Sequence, residues 1–264
     1  MLRGLYTSAS GMLTQQRTQE MRANNMANVD TSGHKRDMAV KRDFPSMFLR
    51  RINDTERLGP YGPEMDFRPY IGELGAGVVL EETVKDFSQG TLKETGNSLD
   101  LALDGQGFFT VEGPEDAIFF TRSGALTLNQ DGTLVTQQGH PVLGDEGEDI
   151  QLSGEGEVTV TEDGDIYEGG EYLATLGLVD FDNPQGLSRV GENLLEETDE
   201  SGEPIAPEGL GVRQGYVEGS NVNIVDEMTG MINALRAYET NQRAIHAHDE
   251  TLDRSVNETG RPPS

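Results

Sequence analysis

The sequence predicts an α+β chain. Discontinuous N- and C-terminal helices flank an inserted antiparallel β-domain. Three observations lead there: apolar residues recur at heptad spacing at both ends, they alternate with period two in the middle, and turn dipeptides punctuate that middle. The implied boundaries are 1–33 plus 220–260 for the helical domain, 34–75 for an extended linker or loop segment, and 76–217 for the β-rich domain.

At the N-terminus, Leu2, Leu5, Ala9, Met12, Gln16, Gln19, Ala23 and Met26 recur at alternating spacings of three and four. This is a heptad seam softened by two glutamines. Asp30, Ser32 and Gly33 then offer a stop. Residues 34–75 mix aromatics, arginines and prolines without a clear period, so an extended segment is expected rather than a separate domain.

From residue 76 the pattern changes to short strands. Leu99, Leu101 and Leu103 alternate, and Gly105 and Gly107 follow. Two-residue hairpin turns are expected at Asp131-Gly132 and Asp163-Gly164, with a further turn at Gly169-Gly170. The second helix then carries a longer seam: Ile224, Met228, Met231, Leu235, Tyr238, Gln242, Ile245, Asp249, Leu252 and Val256, eight of the ten apolar when Tyr238 is counted. Asn223 is placed to cap it, Asp226 suits the first turn, and Gly260, Pro262 and Pro263 end it. At 1.5 Å per residue, such a helix is roughly 50 Å long.

Each terminal helix thus has an apolar seam and no helical neighbour nearby in sequence. A lone amphipathic helix is marginal in water. The two ends must bury their seams on each other or on other copies. Glutamines, an aspartate and small residues in both seams favour completion by neighbours over a tight free-standing pair.

Charge bounds the partners. The net charge of −27 opposes DNA or RNA binding, because a duplex would be repelled. The distribution is uneven: residues 1–57 hold ten Lys/Arg against six Asp/Glu, and residues 96–210 hold Arg122 and Arg189 against twenty-six acids. Unlike surfaces of this kind can steer one subunit onto another; a solvated acidic shell is the simpler alternative, and four lysines in the chain fit it. No apolar run is long enough to span a membrane. The start MLRGLYTSASGMLTQQ lacks the apolar stretch of a secretory signal, so the chain is expected to be cytosolic or exported without a cleaved signal.

Catalytic, cofactor and metal sites are not expected. There is no Cys. Gly105 and Gly107 lack the helix that a phosphate-cradling loop needs. The two Asp-Gly pairs lack the ligand ladder of a calcium loop. His246 and His248, two apart on a helix, point to different sides. Glu146, Glu148, Asp149, Glu155 and Glu157 include close pairs by chance alone, and the absence of Trp argues against a sugar cleft. The alternatives kept are a secreted cell-wall glycan-acting enzyme with an acidic β-domain and a coiled-coil adhesin or binding module.

Four ordered runs carry a resemblance. SASGMLTQQRTQEMRANNMANVDTSGHKR, with its core at Asn24, Asn25, Met26 and Asn28, followed by Lys35 and Arg36, resembles the N-terminal signature of the flagellar basal-body rod and hook family. FSQGTLKETGNSLDLALDGQGFFTV, FTRSGALTLNQDGTLVTQQGHPVLG and GYVEGSNVNIVDEMTGMINALRAYETNQRAI resemble its later blocks. Residues 40–75 match least. The length suits a rod subunit and is short for a hook subunit, and the distal-rod branch is most similar, with the proximal-rod branch close behind.

The resemblance implies a structural subunit of the basal-body rod, outside the cytoplasmic membrane. It implies that the N- and C-terminal helices pair into an axial coiled-coil layer with the β-domain outside it, helical assembly with copies of itself into a torque-transmitting tube, contact with other rod and hook proteins, and passage through the flagellar type III export apparatus. No cofactor, nucleic acid or membrane insertion is implied. The assembly residues it points to are Leu2, Leu5, Ala9, Met12, Asn24, Asn25, Met26 and Asn28 in the first helix, and Ile224, Met228, Met231, Leu235, Tyr238 and Ile245 in the second. The asparagines would interlock with adjacent subunits, unless they serve only to fray or cap the helix end.

Overall fold

A computed structural model describes residues 2–52, 55–57, 64–66, 68–114, 117–154, 156–191 and 193–259. The expected stop at Gly260, Pro262 and Pro263, the side chain of Leu2, and Glu155 lie outside the described residues. The architecture is α+β, with terminal helices and a central antiparallel β-rich region.

The element order begins with α1 (Leu2–Ala27), β1 (Arg36–Asp43), β2 (Met47–Arg50), β3 (Thr55–Arg57), β4 (Glu64–Asp66), β5 (Tyr70–Leu74) and β6 (Val78–Asp86). There follow β7 (Leu92–Glu94), β8 (Leu101–Asp104), β9 (Phe108–Glu112), β10 (Ile118–Thr121), β11 (Leu126–Leu128), β12 (Leu134–Thr136) and β13 (Val158–Val160). The last are β14 (Asp165–Glu168), β15 (Glu171–Thr175), β16 (Leu178–Val179), β17 (Ser188–Gly191), β18 (Leu194–Glu196), β19 (Gly211–Gln214), β20 (Tyr216–Glu218) and α2 (Ile224–Thr259). Two compact units result, one from segments 1–23, 39–83 and 228–264, the other from 24–38 and 84–227.

In the first unit, α1 and α2 run antiparallel through small residues. A side chain at Gly11 would begin 2.7 Å from the Asn241 amide, Gly4 faces His248, and Gly230 faces the Arg22 guanidinium. Thr14 and Thr18 are buried and return their hydroxyls to the carbonyls of Ser10 and Thr14. The Thr14 hydroxyl also reaches Val78 O at 3.2 Å, which seats the start of β6 on α1. Among the described residues of segment 34–75, β2 pairs with β5 and, within them, β3 with β4, both antiparallel.

The second unit holds the main core. A five-stranded sheet in the order β16-β9-β10-β18-β17 packs with the smaller ladders β11–β12, β13–β14–β15 and β8–β19. Leu103, Phe109, Val111, Val142, Ile150 and Ile166 are almost fully buried at its centre. Of the alternating leucines, Leu101 and Leu103 are buried in β8, and Ala102 between them is buried too, because both faces of β8 are covered.

The turn chemistry differs from expectation in a consistent way. Asp131-Gly132 lies within a longer loop, since Leu128 pairs with Leu134 and Asn129 Oδ1 accepts from the backbone N–H groups of Asp131 and Thr133. Asp163-Gly164 lies in a loop closed by Thr161 N–H donating to Asp165 O. The two-residue turn is Gly169-Gly170 between Glu168 and Glu171, with φ of +59° and +90°. Both residues are left-handed there, as a type I′ turn demands, and Gly meets that at little steric cost.

Candidate assembly surface

Asn223 caps α2: its Oδ1 accepts from Val225 N–H at 3.0 Å, and its carbonyl accepts from Glu227 N–H. Asp226 and Glu227 occupy the first turn, where the helix dipole favours negative charge. At its C-terminal end α1 stops at Ala27, where the Asn28 side chain donates to Asn24 O at 2.9 Å and takes up a terminal carbonyl.

The small and polar faces of α1 and α2 are turned inward, and this leaves large apolar side chains outside. On α2, Met228 is 50% exposed, Ile232 52% and Leu235 44%, at spacings of four and three along one stripe. On α1, Tyr6 and Leu13 are exposed, seven residues apart. Of the residues named from the sequence, Ile224, Met228 and Leu235 are exposed, as is Ala9. Leu5, Met12, Met26, Met231, Tyr238 and Ile245 are half-buried. Tyr6, Leu13 and Ile232 were missed, although Leu13 falls one heptad after Tyr6 and Ile232 lies between two named positions.

A second apolar surface was also missed. Phe48 is 69% exposed and sits edge-to-face with Tyr70, ring centres 5.6 Å apart, across the β2–β5 ribbon. Met47, Leu49, Ile52 and Ile71 are exposed around them. A two-stranded ribbon is at best marginal by itself, and its apolar faces need cover.

The asparagines differ from one another. Asn24 is exposed and Asn28 half-buried, whereas Asn25 is fully buried and engaged within its own chain. Its amide donates to Asp37 O and accepts from Asp37 N–H, both at 2.9 Å. Asn221 does similar work, accepting from Arg36 N–H at 2.8 Å and donating to Asp86 O at 2.7 Å.

The segment after α1 is further fixed by buried charges. Glu218 lies between two cations: Lys35 Nζ is 2.6 Å from Oε1, and Arg122 Nε is 2.5 Å from Oε2. Lys35 also donates to Ser88 O, Gly90 N–H donates to Glu218, and Arg122 donates to the carbonyls of Gly105 and Gly107. Gly105 and Gly107 therefore form a turn held by a guanidinium. Burial holds the Lys35 pKa below the usual lysine value, against the pull of Glu218. His34 is buried beside this cluster, its Nδ1 3.4 Å from Asn193 Oδ1. Arg122 was visible beforehand as one of two cations in an acidic stretch; its partner Glu218, 96 residues away, was not.

Glu146, Glu148, Asp149 and Glu157 sit on exposed loops. Among the described residues no cluster of three or more His, Cys, Asp or Glu could hold a metal, and no helix is long and apolar enough to cross a membrane.

The terminal helices pair through small residues and leave large apolar ones exposed, and the chain between them in sequence forms a β-module. Residues 5–35 match the family of flagellar basal body rod proteins, residues 102–168 the D1 domain of the flagellar hook protein FlgE/F/G, and residues 213–258 the C-terminal region of the flagellar basal body rod FlgEFG protein. The chain is 36% identical to the flagellar basal-body rod protein FlgG of Buchnera aphidicola subsp. Schizaphis graminum, over 96% of this chain and 98% of that one. It is 36% identical to FlgG of Borreliella burgdorferi, over 96% and 97%. It is 34% identical to the flagellar hook-basal body complex protein FlhO of Bacillus subtilis, over 99% and 100%. The chain belongs to the flagellar basal-body rod and hook family.

Proposed function

We infer that this chain is a structural subunit of the flagellar basal-body rod and not an enzyme, in keeping with the rod-protein names of relatives that align along nearly its whole length. In this reading it assembles with copies of itself and with other rod and hook proteins. α1 and α2 enter a coiled-coil axial layer, the β-module sits outside it, and a heterologous, non-closing contact extends the assembly as a helical tube that transmits torque. Export through the flagellar type III apparatus without a cleaved signal, and a place in the distal rod, complete the proposal. Asn24 and Asn28 are the asparagines placed to reach a neighbour, because Asn25 is committed to Asp37.

One observation carries the assembly reading: the helices spend their small residues on each other and leave Met228, Ile232 and Leu235 uncovered. An exposed apolar stripe at heptad spacing calls for another helix. Leu235→Asp tests it. The side chain is partly exposed in the single chain, so the fold should persist, while burial of the charge by a neighbour should abolish filament formation and motility. Normal assembly of the variant would reject the stripe as the interface.

A further inference from the structure

Within the second unit, beside His34, lies a small pocket of about 20 Å³, room for one water-sized particle. Four cations line it, Lys35, Lys85, Arg122 and Arg189, and no carboxylate does. His34 lines it as well. Its side chain is buried, with the residue 2% exposed, and Nε2 has no hydrogen-bond partner among the described residues.

The ion pairs around the pocket answer only part of this charge. Lys35 and Arg122 share Glu218, while Lys85 and Arg189 share Asp37, the arginine at 3.5 Å. Next along β1 and β6, Arg36 and Asp86 pair with each other. Four cations thus meet two carboxylates, in a chain whose net charge is −27. The ring is oriented too. Asn193 donates its amide N–H to Ser32 O, so its Oδ1 is left to accept from His34 Nδ1. With the Nδ1 proton committed, the neutral ring has only a lone pair at Nε2, and the protonated ring has a second N–H there.

We propose that this pocket binds a monatomic anion, chloride, together with a proton on His34 Nε2. The new N–H donates to the ion, and the surplus positive charge of the wall supplies the rest of its stabilisation. Phosphate and sulfate are too large for the volume. Without the ion, burial favours the neutral ring, and Lys85 and Arg189 add to that preference. An anion among the same cations offsets it, so proton and chloride each tighten the other by the same factor. The site is independent of the assembly reading, because every group in it belongs to one chain.

The test uses the full chain in sodium chloride against sodium methanesulfonate at equal ionic strength. The chlorine NMR linewidth reports binding, and the His34 ring resonance reports the proton. Chloride affinity should rise by up to about tenfold for each unit fall in pH through the His34 titration, and that titration should lie at higher pH in chloride than in methanesulfonate. His34→Gln should abolish the pH dependence. Arg189→Gln, at a side chain one-third exposed, serves if the histidine variant does not fold, and should weaken chloride binding by about tenfold. A His34 titration that is the same in both salts, chloride binding that does not change with pH, or equal binding by Arg189→Gln and the parent would overturn the proposal and leave the pocket to water.

Discussion

The side-chain amide of Asn25 mimics a strand for the backbone of Asp37, donating to its carbonyl and accepting from its N–H at 2.9 Å each. The contact ties the last turn of α1 to the start of β1. Both backbone groups are part-buried, so removing the amide leaves a donor and an acceptor without partners. Asn25→Ala should cost roughly 2–4 kcal/mol, and Asn25→Asp, which buries a charge and turns an oxygen onto the Asp37 carbonyl, should cost at least as much. Chemical denaturation of the three proteins checks the order; equal stability of Asn25→Ala and the parent would contradict it.

Glu218 is the sole carboxylate in contact with Lys35 and Arg122 among the described residues, and it is 1% exposed. Glu218→Gln leaves two cations buried with one neutral partner. Breaking a buried pair in this way costs about 3–5 kcal/mol. The loss should appear in the melting of the β-module, and a double variant Glu218→Gln with Lys35→Met should recover part of it, since one stranded charge is gone.

His34 makes the β-module acid-sensitive. Burial is the main force that lowers its pKa; the Asn193 contact and Asp37 push back, while Lys85 and Arg189 add to the lowering. The native state therefore favours the neutral ring, whereas the unfolded chain takes up a proton near pH 6.5. Stability from this residue is fully present above about pH 6.5 and is lost as pH falls below that value toward the lowered native pKa. His34→Gln keeps a polar side chain near Asn193 without titrating. Melting temperatures measured at neutral and mildly acidic pH should fall more for the parent than for the variant, and parallel slopes would refute the assignment.

The two faces of α1 should respond oppositely to substitution. Gly11 meets the Asn241 amide, so Gly11→Leu forces the helices apart and should cost about 1–3 kcal/mol. Leu13 faces outward, so Leu13→Ala should leave the isolated chain nearly unchanged, within about 0.5 kcal/mol, and weaken assembly instead. Helical circular dichroism on heating separates the cases.

How much was legible beforehand depends on how local the cause was. The two helices and the Asn223 cap followed from spacing and from one side chain that satisfies its own helix. The Asp-Gly hairpins were legible as hairpins, but their loop lengths were not, because Asn129 and Thr161 set them through bonds that a dipeptide rule does not count. The β2–β5 ribbon was illegible because its prolines and clustered aromatics hide the alternation. The Lys35–Glu218 pair spans 183 residues, and no periodicity reports such a contact. The inward faces of the helices escaped notice for another reason: they are built of Gly, Thr and Ala, and attention to apolar seams looks past small residues.

The chain contains no cysteine, so a single Leu235→Cys provides one reporter in an otherwise silent background. Its rate of labelling by a soluble maleimide, in the free chain and in assembled filaments, measures directly whether neighbours cover the stripe. The account predicts rapid labelling of the free chain and strong protection after assembly, with an exposed control such as Asp199→Cys labelled in both. Equal labelling of Leu235→Cys before and after assembly would contradict it.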